Sequence, residues 1–227
     1  PKKLIDIIKS MYDNQNVKVL FKGKLSNSFI VITGVRQGCL LSPFLFLLAI
    51  DYILRQCNNG NGLPWINEEE LEDLDFADDL AVPADTHGKM QDKTNNIKDL
   101  SSALGLIINV NKTKTMRLNL EDDSPVKIDN DNIEEVDSFT YLGSIVNKEG
   151  GTEEDVNSRL KKARAVYGML SKVWRSNNIR VKTKIRIFNA NVKSVLLYGS
   201  ESWSLTKKLE NKLQVFVNNC LRRILKI

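Results

Sequence analysis

The chain has 227 residues, 42% hydrophobic, 27% charged and 7% aromatic, with 33 Lys plus Arg against 28 Asp plus Glu for a net charge of +5. That length carries one large domain or two small ones with a real core. Three cysteines, Cys39, Cys57 and Cys220, fit neither a disulfide framework nor a paired zinc motif, and the single His87 excludes any site needing two imidazoles, so a metal here is expected to be a hard cation held by carboxylates.

Residues 3–12 place Leu4, Ile5, Ile7, Ile8 and Met11 on one helical face, with Pro1 at a first-turn position. Residues 17–20 and 29–33 are β-branched and aromatic runs separated by Gly23 and Asn27, which predicts a hairpin or two edge strands. Ser42-Pro43 opens a helix, the serine hydroxyl being placed to accept an orphan N–H and the proline losing no hydrogen bond. The following run from Phe44 to Ile50 is apolar all round, which predicts a buried central helix ended by the turn residues 58–62. The longest apolar run, residues 40–50, is eleven residues interrupted by Ser42-Pro43 and is too short to span a bilayer, so no membrane partner is expected.

Leu74, Phe76, Leu80 and Val82 alternate with Asp75, Ala77, Asp79 and Ala81, a period of two broken at Asp78, which predicts a strand hairpin with acids at its tip. Residues 89–104 are weakly helical and close at Gly105, a favoured helix-ending residue. Residues 106–110 and 115–120 are expected to be strands, and residues 139–146 a strand pair around Gly143. From Thr152 the pattern is helix after helix: a capping-box-like Thr152-Glu153-Glu154-Asp155, then Val156, Leu160, Ala163, Tyr167, Leu170 and Trp174 at spacings of three and four. Two more helices are expected at 181–197 and 205–227, and the boundary between an α+β part (1–150) and a basic helical part (151–227) near Gly150-Gly151.

The net charge hides a segregation. Through Ser158 there are 16 basic and 26 acidic residues, a net −10; after it there are 17 and 2, a net +15. The basic part points to a polyanionic partner and the acidic part to metal ligation or plain solvated surface.

Asp78-Asp79 is the strongest local signal, because two carboxylates crowded on a tight turn repel unless a cation takes them up. Magnesium held by such carboxylates together with substrate phosphates is the arrangement that phosphoryl transfer requires. Taken alone, an adjacent Asp pair is usually a surface turn. The glycine-bounded loop Gly34-Val35-Arg36-Gln37-Gly38 runs into the helix at Ser42, and its guanidinium and amide could touch phosphate or sugar; its bland reading is a strand-to-helix turn.

Gly34-Val35-Arg36-Gln37-Gly38 with Leu41-Ser42-Pro43, then Phe76-Ala77-Asp78-Asp79, then Gly105-Leu106 with Asn109 and Lys112-Thr113, then Tyr141-Leu142-Gly143, resembles in content, order and spacing the reverse transcriptase (RNA-directed DNA polymerase) of non-LTR retrotransposons, of the LINE type and RTE-like. The run from Leu197 to Trp203, Leu-Tyr-Gly-Ser-Glu-Ser-Trp, is similar to the thumb-proximal region of such elements. The resemblance implies an α+β fold, a partial polymerase palm with an antiparallel sheet and packed helices, followed by an all-α thumb of about three helices.

By the same resemblance Asp78 and Asp79 are the metal-binding acids of the catalytic hairpin. Arg36, Gln37 and Gly38 line the nucleotide and template pocket. Lys112 is the general acid toward departing pyrophosphate, with Lys114 close enough to compete, and Tyr141, Leu142 and Gly143 belong to the hairpin that grips the primer end. Two magnesium ions, an RNA template, a DNA primer or duplex and deoxynucleotide triphosphates are the implied cofactor and partners, with an endonuclease domain upstream in the parent polypeptide and a nuclear and cytoplasmic location.

One departure matters. The family's further metal-binding aspartate lies ahead of a helix like residues 4–12, and Asp6 and Asp13 do not match that box, so the chain is expected to be a fragment holding about half of the metal site and inactive alone. A nucleic-acid-binding relic without chemistry and an intron maturase are the rival readings. Trp65, Trp174 and Trp203 are expected to be packing residues, His87 to be exposed and idle, Cys39 a small packing residue, and residues 68–73 a solvated acidic turn or helix start.

Overall fold

The computed structural model describes the chain apart from Asn14, Thr33, Asn58, Asn59, Asn61, Asn67, Glu68, Leu120 and Glu121. Expectations that rest on Thr33, on the turn at 58–62, on Glu68 and on Leu120 lie wholly or partly outside the described residues. The chain divides into two units, residues 1–113 with 122–133 and residues 114–121 with 134–227.

In the first unit, helix α1 (Lys2–Tyr12) forms on the expected apolar spacing, yet none of its residues is buried. Strand β1 (Gln15–Val17) pairs antiparallel with β2 (Phe29–Val31), Gln15 opposite Val31, around a smaller ribbon of Leu20–Phe21 with Lys24–Leu25. That inner ribbon turns at Lys22-Gly23, both at positive φ, as the twist of a two-residue hairpin demands.

Helix α2 (Ser42–Cys57) corrects two expectations. The Ser42 hydroxyl donates to the Arg36 carbonyl at 2.6 Å. The helix is also buried only along one side: Ile50, Ile53, Leu54 and Cys57 are covered, whereas Phe44 is 57% and Leu48 48% exposed. An apolar circumference is buried all round only where neighbours stand on every side. Here the buried stripe packs against Ile97 of α3 (His87–Ala103), with Leu80, Val82, Leu100 and Ile108 at the margin. Between α2 and α3 the chain forms the antiparallel pair of β3 (Leu74–Phe76) and β4 (Asp79–Ala81).

Helix α3 is capped by Thr86, whose hydroxyl accepts the Lys89 N–H at 3.3 Å. His87 is its first residue and only 22% exposed in its side chain, 3.8 Å from the Asp122 carboxylate, so it is neither exposed nor in a loop. A second small core of Val126, Ile128 and Ile133 closes on Met90, Ile108 and Val110. Gln91 fastens this ribbon to α3 by donating to the Lys127 carbonyl and accepting its N–H, each at 2.8 Å. Residues 106–110 keep the alternation, Leu106 and Ile108 inward and Ile107 94% exposed, but form no ladder among the described residues. Trp65 is 58% exposed and is not a packing residue.

The class is α+β, as expected, with the strands of the described residues paired two by two rather than in one broad sheet. Six pairs are antiparallel; Lys114–Thr115 with Glu134–Glu135 is parallel.

The second unit carries that parallel pair, the hairpin of β5 (Ser138–Tyr141) and β6 (Ser144–Asn147), and a bundle of helices. Helix α4 (Glu153–Met169) is followed by the short α5 (Ser171–Arg175), where the sequence pattern predicts one continuous helix. The next expected helix is α6 (Val181–Ile187), a π-helical turn at Phe188–Lys193 and α7 (Ser194–Leu196). Phe188, Val192 and Leu196 recur every four residues across the wider turn and all are buried. Helix α8 (Lys207–Leu225) buries Leu209, Leu213, Phe216, Cys220 and Ile224 as one stripe. Against it pack Val156, Leu160, Ala163 and Trp174, whose ring stacks on Tyr167 at 5.2 Å.

The capping box does not form. The Thr152 hydroxyl donates to the Ser204 carbonyl at 3.0 Å, and Asp155 is buried among other partners. Among the described residues no helix is long and apolar enough to cross a membrane.

Candidate functional site

The acidic pair sits where alternation predicts. In the β3–β4 hairpin Phe76 stands opposite Asp79, so Ala77-Asp78 is the two-residue loop. Asp78 stands at the tip and Asp79 opens the return strand, both exposed. Ala77 holds φ 59°, a conformation that suits glycine and costs an alanine about 1 kcal/mol. Backbone strain of this kind gathers at functional turns.

What holds this hairpin from below was not legible in the sequence. Lys93 on α3 is 2% exposed, and its ammonium is ion-paired with the Glu72 carboxylate. It also donates to the Glu72 carbonyl at 3.0 Å and the Pro83 carbonyl at 3.2 Å. Glu72 precedes β3 and Pro83 follows β4, so one cation ties both ends of the hairpin to α3. The available signal was a lysine on the helix face that also carries Met90, Ile97 and Leu100, a face otherwise apolar.

The loop before α2 carries Arg36, Gln37 and Gly38, all exposed. Gly34 and Gly38 take φ 87° and 83°, and a Cβ on either would meet nothing within 4 Å, so these glycines set chain direction and leave the loop's surface open to a ligand. The Arg36 guanidinium lies 5.8 Å over the Tyr12 ring, and the Arg36 carbonyl accepts the Cys39 N–H at 3.2 Å besides the Ser42 hydroxyl. Hydrogen bonding from the Leu41 backbone, aided by Ser42 and by Arg36, holds the half-exposed Cys39 thiol below the ordinary thiol range.

Asn109 organises the next turn: its carbonyl and its side-chain oxygen accept the Lys112 N–H at 3.0 and 3.2 Å, and its carbonyl also takes the Thr113 hydroxyl at 3.0 Å. Lys112 is thereby set on an exposed turn of the first unit. Lys114, the competing lysine, is engaged by Glu134 at 2.5 Å across the parallel pair.

In the second unit, Tyr141-Leu142-Gly143 forms the turn of the β5–β6 hairpin, with Leu142 at φ 49° and Gly143 at φ 84°. Arg159 and Asp155, which the sequence presented as one more basic residue and a capping acid, both reach this hairpin. Of the 17 basic residues after Ser158, only Arg159 and Lys184 are buried. Lys184 closes the carbonyl end of α5, donating to Trp174 and Ser176 at 2.8 and 2.6 Å. The rest are exposed and make the unit's surface cationic.

Among the described residues no group of three or more His, Cys, Asp or Glu is placed to hold a metal ion. Asp78 and Asp79 themselves fit magnesium by donor chemistry: hard carboxylate oxygens on consecutive, solvent-facing residues of a hairpin turn.

This hairpin-borne acid pair, preceded by an arginine loop and followed by a cationic helical unit, is matched by a family model. Residues 1–146 fit the model of reverse transcriptase (RNA-dependent DNA polymerase), and residues 167–198 fit a domain of unknown function. The chain belongs to the reverse transcriptase family. Its relatives place it among the non-LTR retrotransposon type. It is 28% identical over 166 residues to a transposon-derived protein of Caenorhabditis elegans, covering 71% of this chain and 59% of that one. It is 31% identical over 116 residues to the retrovirus-related Pol polyprotein from the type-2 retrotransposable element R2DM of Drosophila melanogaster, covering 51% of this chain and 11% of that one. It is 21% identical over 232 residues to the RNA-directed DNA polymerase from the mobile element jockey of Drosophila funebris, covering 98% and 25%. The chain thus spans from about a tenth to three fifths of these relatives.

Proposed function

We propose that this chain is the rear of a polymerase palm with its thumb, serving RNA-templated DNA synthesis within a longer retrotransposon polyprotein. The observation that carries the reading is the Asp78-Asp79 pair on the strained turn of a two-stranded hairpin, in a chain of this family. The two carboxylates supply part of the ligand set, and a further segment of the polyprotein contributes the rest. When bound there, magnesium ions would activate the primer 3′ hydroxyl and neutralise charge on the phosphates.

The chain's own residues divide the remaining work. Asp78 and Asp79 hold the ions. Arg36 and Gln37 contact the nucleotide and template from an open loop. Lys112 protonates the departing pyrophosphate. The 138–147 hairpin holds the primer end, and the cationic helices grip the RNA–DNA duplex. The template, the primer duplex, the deoxynucleotides, an accompanying endonuclease and a nuclear and cytoplasmic location all belong to the same proposal.

The test is magnesium-dependent primer extension on an RNA template by a longer polypeptide carrying this chain. Extension abolished by Asp78→Asn supports the reading; a variant that extends as well as the wild type refutes it. A second reading, a nucleic-acid-binding module without chemistry, is favoured by the net +15 of the residues after Ser158. Duplex binding with no extension under any metal selects it.

A further inference from the structure

The sequence run Leu197 to Trp203 has no role in the function proposed so far. In the second unit it meets the 138–147 hairpin through a buried ion pair on α4. Arg159 and Asp155 expose only 7% and 4% of their side chains and lie 3.8 Å apart at Nε and Oδ1. The Asp155 carboxylate accepts the Trp203 indole N–H at 2.8 Å and the Ile145 backbone N–H at 3.3 Å. The Arg159 guanidinium lies 4.5 Å over the Tyr198 ring and donates from Nη2 to the Gly143 carbonyl at 2.5 Å.

The fit is close on both sides of the turn. A Cβ on Gly143 would stand 3.2 Å from Arg159 Nη2 and 3.3 Å from Tyr198 Cε1, and a Cβ on Gly199 would stand 2.5 Å from Ser144 Oγ. Each glycine is also at positive φ. The turn they enclose contains Leu142 at φ 49°, a conformation that persists only where the surroundings impose it.

A buried ion pair is a poor way to gain stability, since the same volume filled with apolar side chains does as well or better. The bundle already has its own apolar core in Val156, Leu160, Phe188 and Phe216. The ion pair instead fixes geometry, tying the hairpin's backbone to α4 at two points, Gly143 and Ile145.

We propose that Asp155 and Arg159, braced by Trp203 and Tyr198, are positioning residues that lock the Tyr141-Leu142-Gly143 turn to the helical bundle, so that bundle and turn move together and the primer end is set by the helices that hold the duplex. This rests on the reading of that hairpin as the primer-holding element, and two measurements on the full chain separate the two ideas.

The first is amide hydrogen exchange in Arg159→Lys, which keeps the charge and loses the planar fork, and in the milder Trp203→Phe, which keeps a ring and loses the N–H. The lock predicts about tenfold faster exchange at Ile145 with the amides of Val192 and Phe216 unchanged. No change, or equal acceleration throughout the unit, overturns it.

The second is fluorescence anisotropy with an RNA–DNA duplex ending in a recessed DNA 3′ end against a continuous duplex closed at both ends by loops. The wild-type chain is expected to prefer the recessed end, and Arg159→Lys to lose about tenfold of that preference while keeping its affinity for the continuous duplex. Equal weakening for both ligands, or an unaltered preference, refutes the positioning role. A wild-type chain with no preference removes the primer-holding reading and the positioning role with it, and the exchange data then decide the lock alone.

Discussion

Lys93 and Glu72 form an ion pair whose side chains are 3% and 13% exposed, beneath the hairpin that carries Asp78 and Asp79. Lys93→Met leaves a carboxylate with its cation gone in a shielded place and is expected to cost about 3 kcal/mol in urea unfolding. The double variant Lys93→Met with Glu72→Leu is expected to recover most of that loss. A double variant no better than the single one shows that the carbonyl bonds to Glu72 and Pro83, rather than the pair, carry the contribution.

Gly143 and Gly150 both adopt positive φ, 84° and 70°, but only Gly143 is crowded. Gly150→Ala is expected to cost about 1 kcal/mol of backbone strain. Gly143→Ala carries that strain plus the approach to Arg159 and Tyr198, and is expected to be about 1 kcal/mol worse again. Equal midpoints for the two variants in guanidinium unfolding would show that the close approach costs nothing.

Leu142 occupies the first of two positive-φ positions in a two-residue hairpin turn, where asparagine is the better residue. Leu142→Asn is therefore expected to raise stability by about 0.5–1 kcal/mol. Leu142 is 38% exposed, so the part of its side chain that is covered is what the gain in turn geometry must outweigh. A lower melting temperature would mean that the leucine side chain is held by more than its backbone.

Burial pushes the Cys220 thiol from its ordinary 9.0 up to about 11, and raises Cys57 as well. In the unfolded chain Cys220 ionises first, so the stability linked to it is whole below pH 9 and is lost as pH rises toward 11, by about 2 kcal/mol. Unfolding at pH 8, 9.5 and 11 on wild type and Cys220→Ala checks this, since the variant should lack the added alkaline loss. Cys39, with its thiol shifted the other way, is expected to be alkylated well before Cys57 and Cys220, read by peptide mass spectrometry.

Local rules carried much of the reading. Helix α1, the hairpin at Asp78 and the turn at Gly143 follow from periods of 3.6 and 2 and from turn chemistry, which act over a few residues. The acid pair and the arginine loop were visible for the same reason, because their residues lie close together in the chain, whereas Lys112 stood out only through the family resemblance. Where that reading failed, a distant partner had intervened. Thr152 gave its hydroxyl to the Ser204 carbonyl and Asp155 left its cap for Trp203.

The same contrast separates what each level determines. Composition and order alone established the segregation of charge and predicted the acid hairpin, since these depend on which residues stand next to which, while membership of the polymerase family rests on the likeness of its motifs and on the matching family model. Only the tertiary structure decided that Lys93 anchors that hairpin, that Arg159 and Lys184 are structural rather than part of the cationic surface, and that half of α2 stays exposed. Burial and ion pairing are relations between residues far apart in the chain. A lysine on a helix reads identically in one dimension whether its amine meets water or two buried carbonyls, and only the fold distinguishes them.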